Sequence, residues 1–377
     1  MKDRRPDEDQ RWMEQALALA TLASGSTRPN PRVGCVLVQD GRAVGRGLHR
    51  VCGGPHAEVM AIAEAGDRSR GATAYVNLEP CAHRGRTGPC ADRLIEAGVR
   101  RVVASLQDPN PQVDGRGFGK LREAGVQVDV GCMADPAATV NAAFLHWHRT
   151  GRPLVTLKAA LSLDGMLSAA GGRSRWITGS PARRFAHRLR LSHDAILVGA
   201  ETVRRDDPRL TVRLAGVRSS PQRIVLSRSL DLDPSSRIFR SDENHPASWI
   251  YTIHDAPPRR RAELETVARV FAVDGDPDLE RILQDIGGRG IQSLLVEGGG
   301  RTHGAFVAAG LAQRAALFLS DKLLGARGAT PCLDLETAPE PAASWRLRPT
   351  QRLPLGDDLL VWGTLEAPPS PRGATGP

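Results

Sequence analysis

Aromatic residues make up only 4% of this 377-residue chain, and cysteines number six. The first shortage means that the cores are built from Val, Leu, Ile and Ala. The second excludes the dense disulfide framework of a small secreted domain. No apolar run reaches the ~18 residues that a membrane span needs. The opening MKDRRPDEDQRW carries charge where a secretory signal would carry an apolar core. A reducing cytoplasm is therefore the expected compartment.

The chain is too long for one ordinary domain and fits two. A hydrophobic share of 41% with 25% charged residues belongs to a folded protein. The formal charge of +9 admits two readings. Clustered cations could neutralise nucleic-acid phosphates. Alternatively, a few arginines could be committed to a small phosphorylated substrate. The arginines are spread along the chain and are not interleaved with aromatics as in a base-stacking platform, so the small phosphate is favoured.

Residues 1–10 are polar and expected to fray, and helical spacing of Met13, Leu17, Ala20 and Ala23 predicts a first helix from Trp12. VGCVLVQDG and RAVGRGLH read as two strands joined at Asp40-Gly41, a hairpin signal. Further on, helices are predicted over 55–66, 91–98 and 118–125, with strands over 72–80, 100–106 and 126–131. The second half opens on a strand, 154–161, after the turn chemistry of Gly151-Arg152-Pro153, and continues with strands at 194–200, 222–227, 247–252 and 293–300. The alternation is that of α/β layers. Domains are expected at 1–148 and 149–366, with a disordered tail at 367–377.

His56-Ala57-Glu58 opens a predicted helix, Pro80-Cys81 closes a predicted strand, and Cys90 follows after eight intervening residues. Any one of these alone would read as structural. Together they match the H-x-E…P-C pattern of zinc deaminases. One imidazole and two thiolates fill three positions of a tetrahedral zinc and leave the fourth for water. Glu58 stands apart from the metal ligands as the proton carrier. Cys35, Cys52, Cys132 and Cys332 have no such partners and read as small buried hydrophobes. The long insert between Cys81 and Cys90 is basic, and His83 and Arg86 could grip a phosphate there or stand in a merely solvated loop.

The second half is less specific when read residue by residue. Glu297-Gly298-Gly299-Gly300-Arg301 links a predicted strand to a predicted helix at 303–310. Such glycines let backbone N–H groups approach a phosphate, or simply make a tight turn. Ser174 to Gly179 sets polar groups beside the Trp176 indole, and Asp206-Asp207-Pro208 alone is a turn signal.

The runs PNPRVGCV (29–36), GPHAE (54–58) and LEPCAHRGRT (78–87) closely resemble the bifunctional riboflavin-biosynthesis deaminase/reductase family, RibD. The resemblance continues through Leu157-Lys158, Ser162 to Gly165, Ser174 to Thr178, Asp206 to Arg213 and Glu297-Gly298-Gly299, covering about residues 10 to 365. It implies an N-terminal cytidine-deaminase-like three-layer α/β domain and a C-terminal dihydrofolate-reductase-like domain. It implies zinc on His56, Cys81 and Cys90, Glu58 as catalytic proton shuttle, and substrate contacts from Asn30, His83, Arg86, Asp108 and Asn110. The implied reactions are deamination of diaminohydroxyphosphoribosylaminopyrimidine to 5-amino-6-(5-phosphoribosylamino)uracil, then NADPH reduction of the ribosyl group to ribityl. NADPH would be lined by Ala160, Trp176, Thr202, Asp206 and the turn Gly299, Gly300, Arg301, Thr302, His303, Gly304, Ala305. Ser174, Arg190, Leu210, Arg213 and Glu297 would hold substrate, with Lys158 and Asp164 polarising the ribose. Arg190 and Arg213 suit bidentate pairing with the sugar phosphate.

Ala82 stands where the family usually has Ser, Gly88 where it generally has Pro, and Gly300 replaces another usual proline. Two rivals are weighed: a nucleic-acid-editing zinc deaminase with an accessory binding domain, and a non-catalytic nucleotide-binding relative. The eight-residue insert and the second half disfavour the first, and the intact Glu58 disfavours the second. Small phosphorylated pyrimidines are thus the expected partners, without nucleic acid or membrane, and a homo-oligomer is a family-based expectation.

Overall fold

A computed structural model describes residues 6–23, 27–82, 88–172, 176–217, 220–273, 278–336 and 340–368. The chain forms two compact units, Met1–Gly151 and Arg152–Pro377. The seam expected at 148/149 falls inside a helix that runs to Thr150, where Gly151 in the left-handed region (φ 70°) ends it. Of the tail expected beyond Glu366, all but Ala367 and Pro368 lies outside the described residues.

In the first unit, helix α1 spans Pro6–Leu22 and so starts earlier than the apolar spacing predicts. Its first turn holds Asp7, Glu8 and Asp9, acids that complement the positive helix start. Asp9 also accepts hydrogen bonds from Tyr75 Oη (2.8 Å) and from Arg101 Nη1 and Nη2 (2.9 and 2.8 Å), which ties that turn to the sheet. Of the stretch expected to fray, residues 1–5 lie outside the described residues, and from Pro6 on this tertiary contact, which periodicity cannot register, holds the helix start.

Strands β1 (Gly34–Gln39) and β2 (Arg42–Leu48) pair antiparallel around Asp40 and Gly41, both at positive φ. That is the backbone a two-residue primed turn requires. With β3 (Thr73–Val76), β4 (Arg101–Ala104) and β5 (Gln127–Val130) they make a five-stranded sheet, order β2-β1-β3-β4-β5. Strand alternation splits its apolar residues between two faces. Cys35, Leu37, Ala74 and Val76 meet helices α2 (Ala57–Ala65), α3 (Cys90–Glu96) and α4 (Arg116–Glu123). Val36, Val38 and Tyr75 meet α1 and α5 (Ala134–Val140). Helix α6 (Ala142–Thr150) closes the unit, giving three layers. Helix α2 lies hard against β2, since a Cβ at Gly47 would stand 1.9 Å from the Ala57 carbonyl oxygen.

The second unit contains β6 (Leu154–Leu161), β7 (Met166–Ser168), α7 (Ser180–Leu191), β8 (Ala195–Gly199), α8 (Ala200–Asp206), β9 (Gln222–Leu226) and β10 (Ser248–Ile253). There follow α9 (Pro258–Glu265), β11 (Ala268–Val273), α10 (Leu279–Gly288), β12 (Ser293–Val296), α11 (Gly300–Ala308), β13 (Arg314–Leu319), β14 (Thr330–Pro331), β15 (Arg346–Leu355) and β16 (Asp358–Glu366). Nine strands form one sheet, order β11-β10-β9-β8-β12-β6-β13-β16-β15, and β7 pairs separately with β14. The block from β11 to β13 is parallel, and β16 and β15 add antiparallel. Ile196, Val198 and Leu295 face one core, while Ala195, Leu197, Leu294 and Val296 face the other. This mixed sheet between helices is the dihydrofolate-reductase-like architecture that the resemblance implies. β15 escapes sequence reading because Pro349 and Pro354 interrupt it, which only an edge strand tolerates.

Candidate active sites

In the first unit the hairpin, the sheet and two helix starts converge on the metal ligands. His56 is the residue before α2, and Cys90 is the first residue of α3. Cys81 follows β3 across the turn at Pro80. His56 Nδ1 lies 3.2 Å from Cys90 Sγ and 3.6 Å from Cys81 Sγ, and all three ligand atoms fall within 4.8 Å of one another. A tetrahedral centre with Zn–S of about 2.3 Å and Zn–N of about 2.05 Å separates S from N by about 3.6 Å, so the donor set fits zinc.

The thiols are biased toward metal binding. Cys81 is held well below the ordinary thiol range by the Cys90 S–H, by His56 and by the Cys90 backbone N–H, which donates to its sulfur at 3.3 Å. Cys90 is pushed up, first by sharing that proton with Cys81 and then by burial. Thiolates are the form that binds zinc, so metal binding at this pair releases thiol protons. Glu58, in the first turn of α2, is only 3% exposed. Burial first, and then the neighbouring Cys81 charge, raise its carboxyl to about 7.

Asn30 reaches this centre through a residue that sequence reading passed over. His49 Nε2 meets Asn30 Nδ2 at 3.2 Å, while His49 Nδ1 meets the Pro55 carbonyl at 3.0 Å. The His49 and His56 rings stand edge to face, 5.3 Å apart. A lone buried histidine at the end of β2 carries no sequence signal; only the fold shows its neighbours. Asp108 is buried, its carboxyl raised to about 6 chiefly by that burial, and it accepts from the Asn110 backbone N–H at 2.8 Å. His83 and Arg86 lie outside the described residues.

In the second unit several of the expected residues lie along or just after three adjacent parallel strands, β8, β12 and β6. Open α/β sheets bind ligands beyond the carboxyl ends of such strands. Lys158 and Ala160 come from β6, Thr202 and Asp206 from α8 after β8, and Glu297 and the glycine turn from the end of β12. Gly299 precedes α11 with nothing within 4 Å of where a Cβ would be, an open helix start suited to a phosphate. Gly300 and Gly304 serve packing instead: a Cβ on either would stand 2.4 Å from the Pro331 oxygen or 2.3 Å from the Asp334 oxygen. His303 is buried, held neutral by burial, and its Nδ1 faces the Cys332 carbonyl at 3.3 Å. Arg301 is exposed and Thr302 packs against Gly298, while Ala305 is exposed. Trp176 is 62% exposed beneath the Arg183 guanidinium, and Lys322 Nζ donates to its carbonyl at 2.7 Å.

Three expectations change in the second unit. The Arg190 fork is engaged by Glu297 through Nε and Nη2 and by the Thr211 carbonyl through Nη1, so three of its five N–H groups hold protein partners rather than standing open for a phosphate. Glu297 is correspondingly engaged by Arg190 and by Lys158 Nζ at 3.5 Å. Asp164 accepts from Ser162 Oγ and from the Leu324 and Gly325 backbone N–H groups, which makes it a tie between two turns. Leu210 is buried at a positive φ of 53°, beside the loop that Arg190 pins, while Arg213 keeps its guanidinium near Arg190 and Arg209. Ser174 lies outside the described residues. Ser227, just past β9, was not foreseen; its hydroxyl is buried with no hydrogen-bond partner among the described residues.

Residues 6–106 match the family described as the cytidine and deoxycytidylate deaminase zinc-binding region, and residues 153–361 match the RibD C-terminal domain. Fold and metal ligands thus place the chain among enzymes that join a zinc deaminase to a reductase. It is 39% identical over 354 residues to the Aquifex aeolicus riboflavin biosynthesis protein RibD, covering 94% of this chain and 98% of that one. To the Escherichia coli RibD it is 42% identical, over 85% of this chain and 90% of that one. Among solved structures, Acinetobacter baumannii RibD superposes with a TM-score of 0.86 at 35% identity, covering 96% of this chain and 100% of that one. The Thermotoga maritima diaminohydroxyphosphoribosylaminopyrimidine deaminase/5-amino-6-(5-phosphoribosylamino)uracil reductase gives 0.82 at 34%, covering 96% and 99%. The chain belongs to the RibD family and is a bifunctional deaminase and reductase of riboflavin biosynthesis. Zinc is the metal of its deaminase half, and the RibD reductase match implies NADPH for the other.

Proposed function

We propose that the first unit deaminates diaminohydroxyphosphoribosylaminopyrimidine at His56, Cys81, Cys90 and Glu58. The second unit then reduces the ribosyl group of 5-amino-6-(5-phosphoribosylamino)uracil to ribityl. The observation that carries this reading is the convergence of three metal-ligand atoms beside the buried Glu58. His56, Cys81 and Cys90 would hold zinc, which when bound would supply the Lewis acidity that makes water a nucleophile near neutral pH. Glu58 takes a proton from the attacking water and delivers it to the departing amine, a role suited to a buried carboxyl in the first turn of α2, two residues after the ligand His56. Asn30, Asp108 and Asn110 hold the substrate around it, with His83 and Arg86 at its phosphate.

In the second unit, Ala160, Trp176, Thr202, Asp206 and the turn that opens α11 at Gly299 line NADPH, with Gly300, His303 and Gly304 packing behind that turn, and Ser227 adds a hydroxyl at the same strand ends. Lys158 and Arg213 face the substrate's ribose and phosphate, with Glu297 and Arg190 holding them in place. Burial and the nearby Arg190 and Arg209 depress the Arg213 guanidinium, the signature of a crowded cationic pocket awaiting an anion. The cytoplasm, small phosphorylated pyrimidines in place of nucleic acid, and homo-oligomeric assembly complete the proposal. No helix among the described residues is long and apolar enough to cross a membrane.

The test supplies the zinc-loaded protein with the diaminopyrimidine ribosyl phosphate and follows ammonia release and NADPH loss separately. NADPH loss that depends on prior ammonia release supports the full scheme. Ammonia without NADPH loss would refute the reductase half, and deamination of tRNA in its place would restore the nucleic-acid reading.

A further inference from the structure

Glu79 stands two residues before the metal ligand Cys81 and is 4% exposed. No cation lies within salt-bridge distance of its carboxylate among the described residues. Four backbone N–H groups surround it instead. Oε2 accepts from Asp108 (3.2 Å) and Gly115 (3.0 Å), and Oε1 accepts from Gly117 (2.9 Å) and Phe118 (3.2 Å). Its own backbone N–H donates to the Leu106 carbonyl at 2.9 Å. A buried carboxylate is stable in such a setting because charge-assisted bonds and the positive end of a helix replace its hydration.

These donors belong to one continuous piece of chain. Asp108 begins the run that carries Asn110, and Gly115 to Phe118 form the start of α4. The same helix start is pressed against the metal turn, because a Cβ on Gly117 would stand 1.9 Å from the Pro80 carbonyl oxygen. The Glu79 side chain therefore joins two segments that the sequence separates by 29 residues or more. One carries a metal ligand and the other carries Asp108 and Asn110.

We propose that Glu79 is a positioning residue for deamination: its carboxylate fixes the Asp108–Asn110 loop at a set distance from Cys81. The inference rests on the zinc-deaminase reading and assigns Glu79 no contact with substrate. In Glu79→Gln one oxygen becomes an NH2 group facing two N–H donors, so two of the four bonds are lost while volume is kept. A loop displaced by about 1 Å can cost 10²-fold in rate.

The experiment uses the full-length, zinc-loaded chain and its E79Q variant. It measures zinc content, ammonia-release kinetics, reduction of the deaminated product, and hydrogen exchange of the 106–118 amides. The expected result is full zinc occupancy and unchanged reductase activity, with kcat/KM for ammonia release down roughly 10²-fold. KM should rise at least as much as kcat falls, and exchange should quicken at Asp108, Gly115, Gly117 and Phe118. Wild-type kinetics in E79Q would overturn the proposal, as would loss of zinc, because then the residue supports the metal or the fold. If E79Q does not fold, Gly117→Ala replaces it, since the added Cβ must push α4 from Pro80; undisturbed KM there overturns the proposal too. Should the wild type release no ammonia, the deaminase reading fails by itself. The exchange comparison still decides whether Glu79 holds the loop.

Discussion

Arg190 and Glu297 face each other through two parallel hydrogen bonds, Nε to Oε1 and Nη2 to Oε2, both 2.8 Å. Lys158 Nζ closes on the same carboxylate at 3.5 Å, and all three side chains are at most 15% exposed. Removing one member of a buried ion pair leaves an uncompensated charge, at a cost of about 3–5 kcal/mol. Glu297→Gln should therefore lower stability by that amount, read as a fall in denaturation midpoint at neutral pH. A midpoint within experimental error of wild type would show that the network is solvated and dispensable.

The same carboxylate makes acid denaturation predictable in sign. Burial pushes Glu297 up, but Arg190 and Lys158 outweigh it and hold its pKa well below the ordinary 4.5. A depressed carboxyl stabilises the fold above its unfolded pKa, and that stability drains away as pH falls below it. His187 acts at milder pH. Burial, then Arg190 and Arg213, lower it from 6.5 to about 4, so the folded state resists its protonation. Stability contributed by neutral His187 is complete above 6.5 and is lost as pH falls toward 4. Denaturation midpoints of His187→Asn should be flatter than wild type across that window; parallel curves would count against the assignment.

Glu58→Gln should leave zinc bound and abolish most ammonia release, with a loss of at least ~10²–10⁴-fold expected for a missing general acid–base. Reduction of externally supplied deaminated product should proceed at the wild-type rate. A variant that deaminates within a few-fold of wild type would transfer the proton role to another group.

Chelation offers an independent separation of the two activities. Stripping zinc should stop ammonia release and spare the reductase, because none of the three ligands lies in the second unit. Reloading at pH 6 should be weaker than at pH 8, since thiol protons of the Cys81–Cys90 pair must leave. Equal affinity at both values would mean that the thiols are already deprotonated.

Gly300→Ala places a Cβ 2.4 Å from the Pro331 oxygen and must shift the start of α11. The expected consequence, through displacement of the Gly299 turn, is a raised KM for NADPH, with deamination untouched. Unchanged cofactor KM would remove the glycine turn from the binding site.

The primary structure by itself pointed to the donor set of the first site, His56, Cys81 and Cys90, whose ligand atoms the fold brings within 4.8 Å of one another. His56, Glu58, Cys81 and Cys90 carry a spacing signal because they fall in H-x-E and P-C patterns, with His56 and Cys90 at helix starts and Cys81 after Pro80 beyond the end of β3. It also determined the α/β layering and the Asp40-Gly41 hairpin, where local backbone demands and residue types agree. Tertiary structure alone decided the rest. Whether Arg190 grips a ligand or a carboxylate depends on Glu297, 107 residues away in the chain. Asp164 ties the Leu324-Gly325 turn, Glu79 ties α4 to the metal turn, and His49 links Asn30 to His56, each through neighbours distant in sequence. The first helix began early for a similar reason, the Asp9–Arg101 pair. Residue type states what bonds a side chain can form, whereas burial and the competition among nearby partners decide which of them it makes.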